Sequence, residues 1–88
     1  MTLLIKPGNL FEEQEFEEFQ GILRSRQGES DRFEVYLEYT KDMSLSMFNA
    51  LVQCHMRLRR AGKSLQFSNA QEPVQNFVDK TRFYHVFA

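Results

Sequence analysis

The chain of 88 residues is 42% apolar and 26% charged, which is typical of one small globular domain and not of a disordered segment. Its 11 basic and 12 acidic residues give a formal net charge of −1, so no overall field recruits nucleic acid or an anionic membrane. No apolar run exceeds three residues, and we therefore expect neither membrane insertion nor a cleaved secretory signal. The single Cys54 cannot form an internal disulfide, which indicates a reducing, cytoplasmic location.

A strand and a helix are predicted for the first third of the chain. Residues 2–6 are short and largely apolar, and Pro7 with Gly8 ends this predicted strand. From residue 11 to residue 26 apolar side chains recur at helical spacing and predict a buried stripe of Phe16, Phe19, Ile22 and Leu23. Five glutamates crowd the first turns of this helix, where they complement the helix dipole: Glu12, Glu13, Glu15, Glu17 and Glu18.

The remaining elements alternate in type. Residues 32–39 alternate in polarity and predict a strand with Phe33, Val35, Leu37 and Tyr39 facing the core. The next helix is predicted to begin after an N-cap at Ser44 and to end before a left-handed turn at Gly62. Its buried stripe is predicted to be Phe48, Leu51, Val52, His55 and Leu58, widened by Met47, Ala50 and Cys54. A strand over residues 64–68 and a helix over residues 72–80 follow; the tail, residues 82–88, is compatible with a further helical turn or a short edge strand.

The element order β-α-β-α-β-α predicts an α/β fold in a single domain covering residues 1–88. Strands that alternate with helices pair in parallel through right-handed crossovers. Because these strands alternate in polarity instead of being apolar throughout, we expect the helices to pack largely on one face of a small, mainly parallel sheet of three to four strands. The other face, with Glu34, Tyr36, Glu38 and Gln66, is then left to solvent or to a partner.

The order and spacing of elements over residues 33–87 resemble the STAS family, the sulfate-transporter and anti-sigma-factor-antagonist domains. In that family a strand runs into a loop reading Asp, Ser or Thr, Ser, Gly, Leu, which opens a helix that ends at a glycine. Here the strand is residues 33–39, the loop and helix start read Met-Ser-Leu-Ser-Met-Phe over residues 43–48, and the glycine is Gly62. The resemblance implies a non-enzymatic module that docks on a protein partner: a kinase-like anti-sigma factor, a transporter subunit or another regulator.

The same resemblance implies a contact surface at the loop and helix start, residues 42–48, with Asn49. It comprises Asp42, Met43, Ser44, Leu45, Ser46, Met47, Phe48 and Asn49. The family's phosphorylatable position falls on Leu45, its acidic position on Ser44 and its glycine on Met47, while Ser46 matches the second serine. We therefore expect the usual phospho-switch to be absent or displaced by one residue, and docking through apolar contacts of Leu45, Met47 and Phe48.

Ser44 and Ser46 are the phosphorylation candidates, because a phosphate at a helix N-terminus is stabilised by free N–H groups. The simpler interpretation is that Ser44 caps the helix and Ser46 lies in its first turn. The family's opening hairpin is also reduced to one short strand, which predicts an open sheet edge. That edge indicates an obligate partner or a homodimer, and the alternative function is a structural homo-oligomer paired through it.

The remaining side-chain patterns in the sequence do not indicate a catalytic, metal or phosphate-binding site. Cys54 and His55 are adjacent on a helix and project about 100° apart, so we expect no thiolate–imidazole pair and no metal site. The row of glutamates is typical of a solvated helix face, and the basic cluster of Arg57, Arg59, Arg60 and Lys63 is explained by the dipole at a helix C-terminus. No glycine-rich phosphate loop is present, and no nucleophile–base pair stands out. We therefore expect no catalytic residues, no cofactor and no nucleic-acid partner.

Overall fold

A computed structural model describes residues 1–81 of the chain. The elements in chain order are β1 (Thr2–Ile5), α1 (Glu13–Ser25), a short 3-10 helix (Gln27–Glu29), β2 (Arg32–Tyr36), α2 (Leu45–Arg60), β3 (Ser64–Ser68) and α3 (Glu72–Asp79). The tail at residues 82–88, for which a helix and a strand were both compatible, lies outside the described residues. None of the helices within residues 1–81 combines the length and apolar character needed to cross a bilayer.

The three strands form one parallel sheet in the order β1-β2-β3. Leu3, Phe33 and Leu65 lie opposite one another across the three strands. Two residues further along, Ile5, Val35 and Phe67 also lie opposite one another. Both crossovers move across the sheet in the same direction, and right-handed connections of this kind place their helices on one face. The predicted fold class is confirmed: a small parallel α/β sheet with its helices on the apolar face.

One hydrophobic core lies between the sheet and the helices. Helix α1 contributes Phe19 and Leu23, and α3 contributes Val74 and Val78, all 1% exposed or less. Helix α2 buries Met47, Phe48, Leu51, Val52, Cys54 and Leu58. The rings of Phe48 and Phe77 lie 5.6 Å apart, so α3 packs beside α2. Most of the stripe predicted for α2 is thus confirmed, with His55 and Ala50 half-buried at its margins.

The opposite face of the sheet is polar and open among the described residues. Leu4, Glu34 and Gln66 lie in register across it, and Leu4 is 43% exposed. The Lys6 ammonium lies 5.4 Å from the ring centroid of Tyr36, and the Ser68 hydroxyl donates a hydrogen bond to Glu34 at 3.0 Å. These contacts bind the strands' outer residues to one another.

Two predicted core positions are wrong. The strand predicted to reach residue 39 ends at Tyr36, and although the Leu37 N–H still bonds to the Ser68 carbonyl at 2.8 Å, the chain then turns and leaves Tyr39 59% exposed. In α1, Ile22 is 44% exposed because it projects about 100° away from the buried Leu23.

Candidate functional site

The candidate site lies at the carboxyl end of the sheet. Because β1 and β2 are parallel neighbours, the loops that follow them, residues 6–12 and 37–44, emerge side by side. In open α/β sheets this end is where binding sites generally form. Three large side chains are also exposed here: Phe11 (48%), Tyr39 (59%) and Leu45 (65%).

The buried Thr40 joins these two loops. Its side chain is fully buried, and its hydroxyl accepts a hydrogen bond from the Leu10 N–H at 3.1 Å and donates to the Gly8 carbonyl at 3.4 Å. Asn9, in the first loop, also joins the two loops. Its Oδ1 accepts hydrogen bonds from the N–H groups of Lys41 at 3.1 Å and Phe11 at 3.2 Å. Neither residue was predicted from the sequence to belong to a site. Asn9 after Pro7-Gly8 carries an ordinary turn signal, whereas Thr40 has none because its partners lie 30 or more positions away.

The start of α2 is fixed by its own loop. The Ser44 hydroxyl accepts from the Met47 N–H at 3.1 Å, so the predicted N-cap is confirmed. Just before it, Oδ1 of Asp42 accepts from the Met43 N–H at 2.8 Å. The Ser44 bond satisfies one of the backbone donors that a helix start otherwise leaves free, and the Asp42 bond satisfies a donor in the loop before it.

The eight predicted contact residues divide between surface and core. Asp42, Ser44, Leu45, Ser46 and Asn49 are exposed. Met43, Met47 and Phe48 are 4%, 7% and 4% exposed, and all three belong to the hydrophobic core. Of the three apolar residues expected to make the docking contacts, Leu45 is thus exposed, whereas Met47 and Phe48 are buried in the core.

A groove of about 340 Å³ runs beside this segment, between α1 and the first turns of α2. We call it the acidic groove. From α1 it is lined by Glu13, Phe16, Glu17 and Gln20, a helical spacing that brings all four to one side of the helix. Leu10 and Phe11 precede them, and the α2 wall consists of Ser44, Ser46, Met47 and Ala50. Both serines singled out from the sequence thus open onto this groove.

Four of the five glutamates predicted to form a solvated face are exposed, and Glu15 is half-buried. Glu13 and Glu17 line the acidic groove, whereas Glu15 and Glu18 line a second cavity of about 250 Å³ against β1. In that cavity the Glu15 carboxylate packs against Gly8, and its Oε2 is buried with no hydrogen-bond partner among the described residues. The two sides of α1 therefore present carboxylates to different surroundings.

Cys54 and His55 of α2, and Lys63 in the turn after it, have structural partners. Cys54 is 2% exposed and its sulfur accepts a hydrogen bond from Arg57 at 3.5 Å, while Nδ1 of His55 lies 3.1 Å from the Leu65 carbonyl. Lys63 donates to the Ser30 carbonyl at 2.8 Å and forms an ion pair with Asp31 at 3.5 Å. An exposed pair lies away from the site: hydrogen bonding to Glu29 raises the pKa of Arg26, and hydrogen bonding to Arg26 lowers the pKa of Glu29.

The arrangement at this end of the sheet offers exposed contact surface. Within residues 1–81 no three His, Cys, Asp or Glu side chains come together as metal ligands would. Family models, curated protein sequences and solved structures were compared with the chain, and none matches. The resemblance to STAS domains therefore stays a prediction from the sequence.

Proposed function

We propose that the chain is a non-enzymatic protein–protein interaction module of STAS type. It acts in the cytoplasm and docks on a regulatory partner, which the resemblance identifies as a kinase-like anti-sigma factor, a transporter subunit or another regulator. The observation that carries this proposal is Leu45, 65% exposed on the first turn of α2 directly after the Ser44 cap. Burial of this exposed apolar side chain by a partner would be favourable.

A constitutive mode of binding agrees best with this site. Leu45 occupies the position that the family phosphorylates and has no hydroxyl. The Ser44 hydroxyl is engaged as the helix cap. Phosphate on Ser44 or Ser46 would share the acidic groove with Glu13 and Glu17, and like charges there oppose its addition. The module therefore works without the usual phospho-switch and requires no cofactor.

A structural homo-oligomer is the second candidate function. Among the described residues β1 and β3 each pair with β2 alone, so each leaves one edge open for a second copy. The open face measures roughly 14 Å across its strands and 16 Å along them, or about 220 Å² for each copy. A standard interface buries about 800 Å² for each partner, so this face alone is too small for a stable dimer.

Affinity capture with the tagged full chain separates these functions. Leu45→Asp removes the apolar contact while keeping the fold, since an acid in the first turn complements the helix dipole. Leu4→Asp is the matched control, because Leu4 is also exposed but lies on the open sheet face.

We expect the wild type and Leu4→Asp to recover the same regulatory protein, and Leu45→Asp to recover at least tenfold less. Circular dichroism checks that both variants are folded. Recovery of nothing but further copies of the chain, reduced by Leu4→Asp and unchanged by Leu45→Asp, would instead establish the oligomer.

A further inference from the structure

The acidic groove is apolar at its base and negatively charged on one wall. Leu10 and Met47 are 1% and 7% exposed and form part of its buried lining. Phe11 is 48% exposed at its margin, although burial of its ring would be favourable. A volume of about 340 Å³ is suited to a few side chains of a peptide, being at the lower end of the range of about 300–1,000 Å³ for ligand cavities.

The charge on the α1 wall is not neutralised within the described chain. Glu13 and Glu17 make no ion pair among residues 1–81; the ion pairs found there join Arg26 to Glu29 and Lys63 to Asp31. Residues 11–20 carry five of the chain's 12 acidic side chains and no basic one. The rest of the chain therefore contains seven acidic and 11 basic residues. A near-neutral chain thus places a strongly negative surface next to the groove.

We infer that the acidic groove binds a basic amphipathic helix of the partner protein. This inference rests on the proposed docking function and specifies the chemistry of the partner. Glu13 and Glu17 are four residues apart on α1, so their side chains are neighbours about 6 Å apart at Cβ. Lys or Arg residues four apart on a partner helix match that spacing. A bulky apolar side chain beside them enters the groove against Phe11 and Phe16.

A fluorescence anisotropy titration with a designed peptide tests this inference. The probe is a labelled 14-residue peptide of Leu, Lys and Ala in which Leu and Lys recur at helical spacing, and its control has Glu in place of Lys. We expect the Lys peptide alone to bind the full-length chain, and its binding to weaken as salt is raised. Equal binding of both peptides, or binding of neither, would overturn the inference.

Matched variants locate the binding site on α1. Glu13→Lys combined with Glu17→Lys is expected to weaken binding at least tenfold, whereas Glu12→Lys combined with Glu18→Lys changes the net charge equally and leaves most of the affinity. Ala50→Leu, which fills the groove without changing charge, is expected to weaken binding as well. Equal losses in the two double variants would show that the attraction is diffuse and not due to the groove.

Two further arms separate this inference from neighbouring claims. Unlabelled peptide 81–88 is added as a competitor, and displacement of the probe by it would assign the groove to the chain's own tail, contradicting a partner segment. Leu45 does not line the groove. If partner capture depends on Leu45 and the Lys peptide does not bind, the groove inference is refuted and the proposed function stands. If the peptide binds in the groove and partner capture does not depend on Leu45, the proposed function is refuted and the groove inference stands.

Discussion

Replacing Thr40 by valine is expected to destabilise the fold because it leaves one buried backbone N–H without a hydrogen-bond acceptor. Valine retains the shape of threonine but removes the hydroxyl that accepts from the Leu10 N–H at 3.1 Å. Leu10 is 1% exposed, so water cannot easily replace the lost acceptor. An orphaned buried donor costs about 1–3 kcal/mol. The long bond from Thr40 to the Gly8 carbonyl, 3.4 Å, adds little to this cost.

We therefore expect Thr40→Val to lower the free energy of unfolding by about 2 kcal/mol, which corresponds to a melting temperature roughly 8–16 °C lower in a domain of this size. Urea unfolding followed by circular dichroism measures the difference. Thr40→Ser is the control: it keeps the hydroxyl, loses one methyl group and should cost only about 1 kcal/mol. A valine variant as stable as the serine variant, or more stable, would refute the view that this hydroxyl holds the two loops together.

Three further predictions concern the cap of α2, two glycines and an exposed ion pair. Ser44→Ala should cost about 1 kcal/mol and Ser44→Asp should restore most of it, because aspartate also accepts from the helix start; urea titration shows whether it does. Gly62→Ala should cost about 1–2 kcal/mol since Gly62 has a φ of +77°, whereas Gly21→Ala, with open space around the added carbon in α1, should stabilise by about 0.5–1 kcal/mol. Arg26 lowers the pKa of Glu29, so their ion pair stabilises the fold fully at pH values above the ordinary glutamate pKa. This stabilisation is lost as the pH falls through the lowered pKa of Glu29. Glu29→Gln should therefore lose less stability than the wild type over that acid range.

The fold was largely predictable because its signals are local. The alternation of apolar and polar residues over residues 64–68 fixed both the limits and the inward face of β3. The same rule overextended β2, since Leu37 and Tyr39 continue the alternation after the chain has begun to turn. After the strand the chain turns locally, with the Thr40 N–H donating to the Leu37 carbonyl at 3.1 Å, and the Thr40 hydroxyl then bonds to a loop 30 positions earlier, a contact that no local pattern encodes.

The site was predictable only in part for a similar reason. Ser44 was identified as a cap from residue type and position, which are local properties. The burial of Met47 and Phe48 depends on how α2 rotates against the sheet, and the two sides of α1 depend on where α2 lies. In the sequence Glu13 and Glu17 therefore cannot be distinguished from Glu15 and Glu18, and the fold shows that the two pairs lie on different sides of α1.

The central claim, that the start of α2 is the surface that meets a partner, is tested most directly by site-specific photo-crosslinking in cells. A benzophenone amino acid is placed at position 45 and, in a matched variant, at position 4 on the open sheet face, both exposed. We predict a crosslink from position 45 to one other protein and none to it from position 4. Crosslinks from position 4 to a second copy of the chain, with none from position 45, would contradict the account and make the structural oligomer the function of this fold.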